Sequence, residues 1–189
     1  ERENNGQYNC MRRCFYIADL PNKPLRKRFY KTSNFDWTGK MDIEKNLKYT
    51  FKNKELLSTA LTHSSYSNEK KKGTESNERL EFLGDSVLSI ITSEYLFKEY
   101  SHQPEGELTK LRAALVCEKS LCEISRELGI GECLKLGHGE EHTGGRQRPS
   151  ILADAFEAML AAIYLDSGMD SARSFVLPFI KEKLKNIDS

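Results

Sequence analysis

Two acidic pairs in this sequence have the spacing that places both side chains on one face of a helix. Glu81 and Asp85 are four residues apart, and Asp154 and Glu157 are three apart. Residues at these spacings are neighbours on a helix surface, where like charges repel each other. A divalent cation that binds between carboxylate oxygens removes this repulsion. The spacing therefore indicates either a metal site or an ordinary solvated acidic face.

The residues around both pairs favour the metal site. Asp154 and Glu157 lie in the segment 150–166, which is apolar on nearly all sides, and a helix of that kind is buried. Buried carboxylates are costly unless they are paired or bound to a metal. Two such pairs together favour one four-carboxylate site, and all-oxygen ligands point to Mg²⁺ or Mn²⁺. Carboxylate-bound Mg²⁺ is typical of phosphoryl-transfer chemistry.

Other chemistries have less support in the residues. The acidic segments lack the Glu-x-x-His motif of di-iron bundles, and the chain has no P-loop and no G-x-S-x-G motif. Residues 138–142 match H-x-x-E-H, a zinc pattern that requires a helix. The surrounding glycines predict a loop over 133–149 instead, so zinc is not favoured. We expect Arg146 and Arg148 in this loop either to contact RNA phosphates or to be exposed to solvent.

The elements that position the acidic pairs are predicted to be helices. Apolar periodicity predicts helices over 42–48, 53–63, 77–100, from Pro104 to about 116, 118–128, 150–166 and 170–186. Asn77 and Ser150 are the expected N-caps of the two acidic helices. Residues 62–67 are predicted to be a small polar turn, and 70–73 a basic loop. With no convincing strand, the pattern predicts an all-α domain with short connections.

The composition is that of one soluble domain with a distinct leading segment. The apolar fraction of 38% suffices for a core, and no stretch approaches the roughly 20 apolar residues of a membrane span. We see no signal peptide, and five cysteines without a C-x-x-C pair predict a reduced, cytoplasmic chain.

Charge is distributed unevenly along the chain. Residues 1–40 hold nine Lys and Arg against four Asp and Glu, whereas the remainder holds 20 against 24. We expect residues 1–40 to be a poorly ordered basic extension, or else an arm that contacts phosphate. The ordered domain is then predicted to span 41–187.

Four sequence motifs resemble those of the ribonuclease III family. The segment Asn77–Ser86 is similar to the family signature without a gap, and segments 60–66, 105–113 and 151–158 resemble three further family motifs in the same order. The resemblance covers residues 42–187 and is closest to the bacterial enzymes. It implies a ribonuclease III endonuclease domain, a multi-helix bundle that forms a homodimer.

The resemblance also implies roles for individual residues. It implies that Mg²⁺, with Mn²⁺ as a possible substitute, is held by Glu81, Asp85, Asp154 and Glu157. Of these ligands, Asp85 and Glu157 would be catalytic. Glu78 and Glu105 match supporting acidic positions near RNA or metal. Charge and position in the sequence, rather than the resemblance, make Lys110, Arg112, Arg146 and Arg148 the RNA-binding candidates. Phe82 matches an aromatic that inserts into the partner subunit, and Gly84 would mark close packing, with that inserted ring as our candidate neighbour.

The function implied by the resemblance is hydrolysis of double-stranded RNA. The products would carry 5′-phosphate and 3′-hydroxyl ends with short 3′ overhangs, and the substrates would include ribosomal RNA precursors and messenger RNA. We expect no membrane partner and no small organic cofactor.

Bacterial members usually continue into a double-stranded-RNA-binding domain, which is absent from this chain. The alternative is a catalytically silent RNA-binding or ribosome-associated relative, but such proteins lose acidic ligands and all four are present here.

Overall fold

The computed structural model describes residues 42–70 and 74–187, and all its regular elements in those ranges are helical. The prediction of an all-α fold is therefore confirmed. Our expectations for residues 1–40 and for most of the basic loop 70–73 lie outside the described residues. The helices are α1 (Ile43–Leu47), α2 (Lys54–Ala60), α3 (Ser64–Glu69), α4 (Glu78–Glu99), α5 (Glu105–Leu115), α6 (Glu118–Leu128), α7 (Ile130–Cys133), α8 (His138–His142) and α9 (Pro149–Ile187). A short 3-10 helix, Gly145–Gln147, precedes α9.

The two long helices α4 and α9 pack against each other at the centre of the bundle. Helix α9 is interrupted at Gly168, whose φ of 83° and ψ of 179° are not helical. The interruption agrees with the two helices predicted over 150–166 and 170–186. The first of them begins at Pro149, whereas the sequence predicted a start after an N-cap at Ser150. Proline is favoured in the first turn of a helix because it has no backbone N–H that needs a partner there.

The core is built mainly from α9 and the elements that surround it. Phe156 is fully buried and its ring lies 5.9 Å from that of Phe175, centroid to centroid. Phe179 packs edge-on against both rings. Helix α6 is joined to α9 by a buried hydrogen bond of 2.6 Å from Ser125 Oγ to the Leu152 carbonyl. These contacts hold the first half of α9 rigidly inside the domain.

Two segments predicted to be irregular contain short helices. Residues 64–67 of the predicted polar turn belong to α3, where the His63 ring nitrogen Nδ1 caps the helix by accepting a bond from the Ser65 N–H. The predicted loop 133–149 contains α8 and the 3-10 helix. Both predictions were wrong. Small polar residues and glycines show no apolar periodicity from which a helix could be predicted, and tertiary contacts hold these short segments in helical form.

The Asn77 side chain does not cap α4, contrary to the sequence-based prediction. The residue is 2% exposed, and its side-chain amide donates to the Ala60 carbonyl at 3.4 Å. Its backbone N–H donates to the Thr62 carbonyl at 2.8 Å. Asn77 therefore ties the start of α4 to the end of α2.

Pro104 was predicted in the first turn of α5, but it lies just before that helix.

Within the two described ranges, no helix has both the length and the apolar character that a membrane crossing requires.

Candidate metal centre

Three of the four predicted carboxylates meet where α4 crosses α9. Glu81, Asp154 and Glu157 each offer an oxygen, and these oxygens all lie within 4.8 Å of one another. All three residues are half-buried. Across residues 42–70 and 74–187, they form the only such group of three or more potential metal-ligating side chains. The structure thus assembles a compact acidic cluster from two helices that are far apart in sequence.

Asp85 stands outside this cluster and is exposed. The buried side of α4 near the cluster is formed by Leu80, Gly84, Val87 and Leu88. Four residues turn a helix by about 40° beyond one full turn, so Asp85 points further from this buried side than Glu81 does. The i,i+4 spacing therefore places Asp85 beside the cluster on its solvent side.

Gly84 allows the two acidic helices to approach closely. A Cβ atom on Gly84 would lie 1.9 Å from the Glu157 carbonyl oxygen and 2.4 Å from its carbonyl carbon. The prediction that Gly84 marks close packing is confirmed, but the neighbour is the backbone of Glu157 in the same chain rather than a partner's ring. The contact places the backbone of one cluster residue directly against α4.

Burial fixes the α9 side of the cluster. The residues flanking Asp154 and Glu157 along the helix, Ala153, Ala155, Phe156 and Ala158, are at most 4% exposed. Helix α9 cannot rotate to release its carboxylates without exposing these side chains to water, which is unfavourable. The cluster is therefore a consequence of core packing.

The supporting acidic residues lie outside the three-carboxylate group. Glu78 is exposed in the first turn of α4 and accepts a hydrogen bond of 3.0 Å from Ser76 Oγ. Glu105 is exposed at the start of α5 and accepts one of 2.8 Å from Thr109 Oγ1. Glu105 also lines a cavity between α4, α5 and α9.

The basic candidates on α5 differ in exposure. Lys110 is exposed and pairs with Glu107 at 2.7 Å. Arg112 is half-buried and donates from Nη1 to Ser93 Oγ on α4 at 2.9 Å. Lys110 is thus presented to solvent, whereas Arg112 joins two helices.

Internal partners also occupy the two arginines before α9. Arg146 donates from Nε and Nη2 to the Glu141 carboxylate, each at 2.7 Å, and from Nη1 to the Leu134 carbonyl at 2.8 Å. Hydrogen bonding from Arg146 lowers the pKa of Glu141. Arg148 pairs with the Glu140 carboxylate. Both arginines therefore hold the 138–148 segment together.

An exposed apolar face runs along α4 on the side away from the core. Phe82 is 80% exposed, Phe97 is 72% exposed and Ile90 is 58% exposed. Beside Ile90 and Phe97 lies a cavity of about 660 Å³. Its lining includes Ile90, Phe97, Leu108, Arg112, Met169 and Arg173. Of these three residues, only Phe82 is predicted from the sequence to contact a partner. Ile90 and Phe97 are also apolar residues on the exposed side of α4, and this pattern was the signal that could have identified them.

Comparison with known proteins identifies the family. A family model described as Ribonuclease-III-like matches residues 53–184. The chain belongs to the ribonuclease III family. It is 56% identical over 136 residues to ribonuclease 3 of Clostridium tetani, which covers 72% of this chain and 57% of that protein. It is 52% identical over 145 residues to ribonuclease 3 of Caldanaerobacter subterraneus, with 77% and 64% covered.

A solved ribonuclease III nuclease domain has the same fold. The domain from Campylobacter jejuni is 46% identical, with a TM-score of 0.69, and the match covers 74% of this chain and 94% of that domain. That structure is described as showing flexibility in a region involved in dimer formation. The predicted ribonuclease III endonuclease fold is therefore confirmed. This chain spans about three-fifths of the length of the curated relatives it matches.

The residues at the cluster fit the divalent metal that the ribonuclease III family implies. Three carboxylates within 4.8 Å supply the hard oxygen ligands that Mg²⁺ and Mn²⁺ prefer. Partial burial strengthens their mutual repulsion and so favours a cation among them.

Proposed function

We propose that this chain is the nuclease domain of a Mg²⁺-dependent endoribonuclease that cuts double-stranded RNA in the cytoplasm. The observation that carries the proposal is the three-carboxylate cluster of Glu81, Asp154 and Glu157. The ribonuclease 3 relatives support the reaction class. Ribosomal RNA precursors and messenger RNA are the proposed substrates.

The proposed ligands are the three clustered carboxylates, with Asp85 as the fourth. When bound there, Mg²⁺ activates water as a nucleophile and stabilises the negative charge that develops on phosphate oxygens. Glu157 has a fixed position because its backbone packs against Gly84. Asp85 is exposed beside the cluster, where the phosphate of a bound RNA would approach. We assign catalysis to Asp85 and Glu157 on this basis.

The proposed reaction is hydrolysis of a phosphodiester bond. Oxygen from water bonds to phosphorus while the bond from phosphorus to the 3′ oxygen breaks, and that oxygen leaves as a hydroxyl. The products are a 5′-phosphate and a 3′-hydroxyl. Two sites acting on opposite strands, offset along the duplex, would leave short 3′ overhangs.

The proposed substrate is read by its shape. Proteins recognise duplex RNA through phosphates and 2′-hydroxyls rather than base edges. Lys110 is exposed and suits a phosphate contact, with Arg112 and Arg148 as further candidates, whereas Arg146 bonds mainly inside the protein. Glu78 and Glu105 would support metal or RNA at the edge of the site. Because residues 41–189 carry more acidic than basic side chains, we expect weak and salt-sensitive binding by this chain alone.

The proposed assembly is a homodimer formed through α4. Apolar side chains as exposed as Phe82 and Phe97 are costly to leave in water when they share a face. The cavity beside Phe97 has room for an aromatic side chain of a second copy. Dimer formation by the related Campylobacter jejuni domain supports this arrangement.

The test is cleavage of a long duplex RNA with Mg²⁺ or with EDTA. We expect cutting in Mg²⁺ alone, with no cutting of single-stranded RNA of the same composition. Glu157→Gln should bind the duplex but not cut it, and Glu182→Gln, an exposed carboxylate on the same helix, should cut like the wild type. Binding without cutting by the wild-type dimer would instead favour the silent alternative.

A further inference from the structure

Two histidines on α8 have the geometry of a metal-binding pair. His138 and His142 are four residues apart on a helix, and their ring centroids are 5.4 Å apart. Both side chains are exposed. Histidines at this spacing on a helical face can bind one transition-metal ion through a nitrogen of each ring. The sequence predicts a loop here, which disfavours zinc, whereas the observed helix α8 provides the helical spacing that the zinc pattern requires.

The start of α8 is anchored to α3. The His138 N–H donates to Glu69 Oε1 at 2.7 Å, and the Gly137 N–H donates to Ser65 Oγ at 2.9 Å. The packing is close, since a Cβ atom on Gly137 would lie 2.5 Å from Glu69 Oε1 and 2.6 Å from the Ser65 carbonyl oxygen. The backbone that carries the first histidine is therefore held in position before any ligand arrives.

The end of α8 is anchored by the two arginines that follow it. Arg146 binds both carboxylate oxygens of Glu141, and Arg148 pairs with Glu140. Arg146 also donates to the carbonyls of Gly131 and Leu134, which fixes its own position. The two acidic residues between the histidines are thus engaged with arginines. The imidazole rings, in contrast, make no hydrogen bond to any described residue and remain available to a ligand.

We propose that His138 and His142 form a binding site for a divalent transition-metal ion, with Zn²⁺ as the candidate and water completing its coordination. Imidazole nitrogen suits Zn²⁺, Cu²⁺ and Ni²⁺, whereas carboxylates and water suit Mg²⁺. The two sites of this chain therefore differ in metal preference and share no residue. The site binds metal without hydrolysing a substrate, since the Glu141 carboxylate that would serve as its base is held by Arg146.

The experiment titrates untagged protein with ZnCl₂ in excess Mg²⁺ and follows imidazole resonances by NMR. The chain has four histidines, and we expect the resonances of two, His138 and His142, to shift with saturable binding of one Zn²⁺ per chain. His142→Ala and His138→Gln should each abolish that binding. His102→Ala, an exposed histidine elsewhere, should leave it intact.

The acidic cluster supplies the decisive control. Glu157→Gln should bind Zn²⁺ through the histidines as the wild type does, so the result is independent of the proposed nuclease activity. Circular dichroism would verify that each variant is folded. The proposal is overturned if His142→Ala binds Zn²⁺ as tightly as the wild type, or if Glu157→Gln abolishes the binding.

Discussion

Gly84 of α4 lies directly against the backbone of Glu157 on α9. A side chain of even one carbon at position 84 would come within 1.9 Å of the Glu157 carbonyl oxygen. Glu81 is three residues before Gly84 and belongs to the same acidic cluster as Glu157. The glycine therefore sets the distance at which the two halves of the cluster meet.

Gly84→Ala should destabilise the domain and separate the carboxylates. The obstructing atoms are backbone, so the helices must move apart, at a cost of about 3 kcal/mol, the upper end for overpacking. Urea denaturation measures the loss of stability. Cleavage of duplex RNA should be lost even under conditions where the variant remains folded.

Gly106→Ala is the matched control, because Gly106 is also helical and a Cβ atom added there would meet no atom within 4 Å. Alanine should stabilise this exposed helical position by about 1 kcal/mol. Equal stability of the two variants would contradict the account of Gly84.

Phe82→Ala should weaken the proposed homodimer. The side chain is 80% exposed in one chain, so its removal should leave the stability of the monomer unchanged. Loss of a central aromatic anchor costs at least about 2 kcal/mol of association, which analytical ultracentrifugation would detect. Ile187→Ala removes another exposed apolar side chain and serves as control. If both variants dimerise as the wild type does, Phe82 is not an anchor.

Thr92→Val should stabilise the domain by about 1 kcal/mol. Thr92 is fully buried, and its hydroxyl has no hydrogen-bond partner among the described residues. Valine has the same shape without the unsatisfied polar atom. Ser125→Ala is the opposite case, because its buried hydroxyl donates to the Leu152 carbonyl, and we expect a loss of about 1 kcal/mol. Thermal or urea denaturation of both variants tests this pair, and a destabilised Thr92→Val would refute the first half.

Asp166 should make the stability of the domain pH-dependent in acid. Burial opposes ionisation of this carboxyl, but hydrogen bonds from Tyr49 Oη at 2.6 Å and from the Asn53 and Lys52 N–H groups outweigh it and lower its pKa from the ordinary value of an aspartate. The ionised form therefore stabilises the fold above the unfolded-state pKa, and this contribution is lost as the pH falls through the lower folded-state pKa.

The free energy of unfolding should be higher for the wild type than for Asp166→Asn at pH 7 and pH 5. The difference should shrink below about pH 4, near the unfolded-state pKa. Asp170→Asn, at an exposed carboxylate paired with Arg173, should change stability little at any pH. A wild-type advantage over Asp166→Asn that persists unchanged in acid would argue against this assignment.

The long helices could be predicted because they carry the core. Apolar residues recur along α4 and the first half of α9 at helical spacing, and Gly168 ends that half where the sequence indicated a break. Helix α8 could not be predicted in this way, since its five residues show no apolar repeat. It is held by the bond from the His138 N–H to Glu69, a residue 69 positions away.

The site was predicted in its residue types but not in its arrangement. The spacing of Glu81 and Asp85 indicated one shared face, yet the turn of about 40° between such positions separates a half-buried residue from an exposed one. The close neighbour of Gly84 could not be read from sequence, because it is the backbone of a residue 73 positions away. Backbone atoms carry no residue-specific signal.

The most direct test of the central claim is a crystal structure of the protein soaked in Mn²⁺, with anomalous scattering used to locate the metal. The account predicts an anomalous peak about 2.1 Å from carboxylate oxygens of Glu81, Asp154 and Glu157, a distance typical of small divalent cations. The peak should disappear in Glu157→Gln crystals. An ordered cluster without a peak at saturating Mn²⁺, or a peak that persists in Glu157→Gln, would contradict the claim that these carboxylates form the metal site.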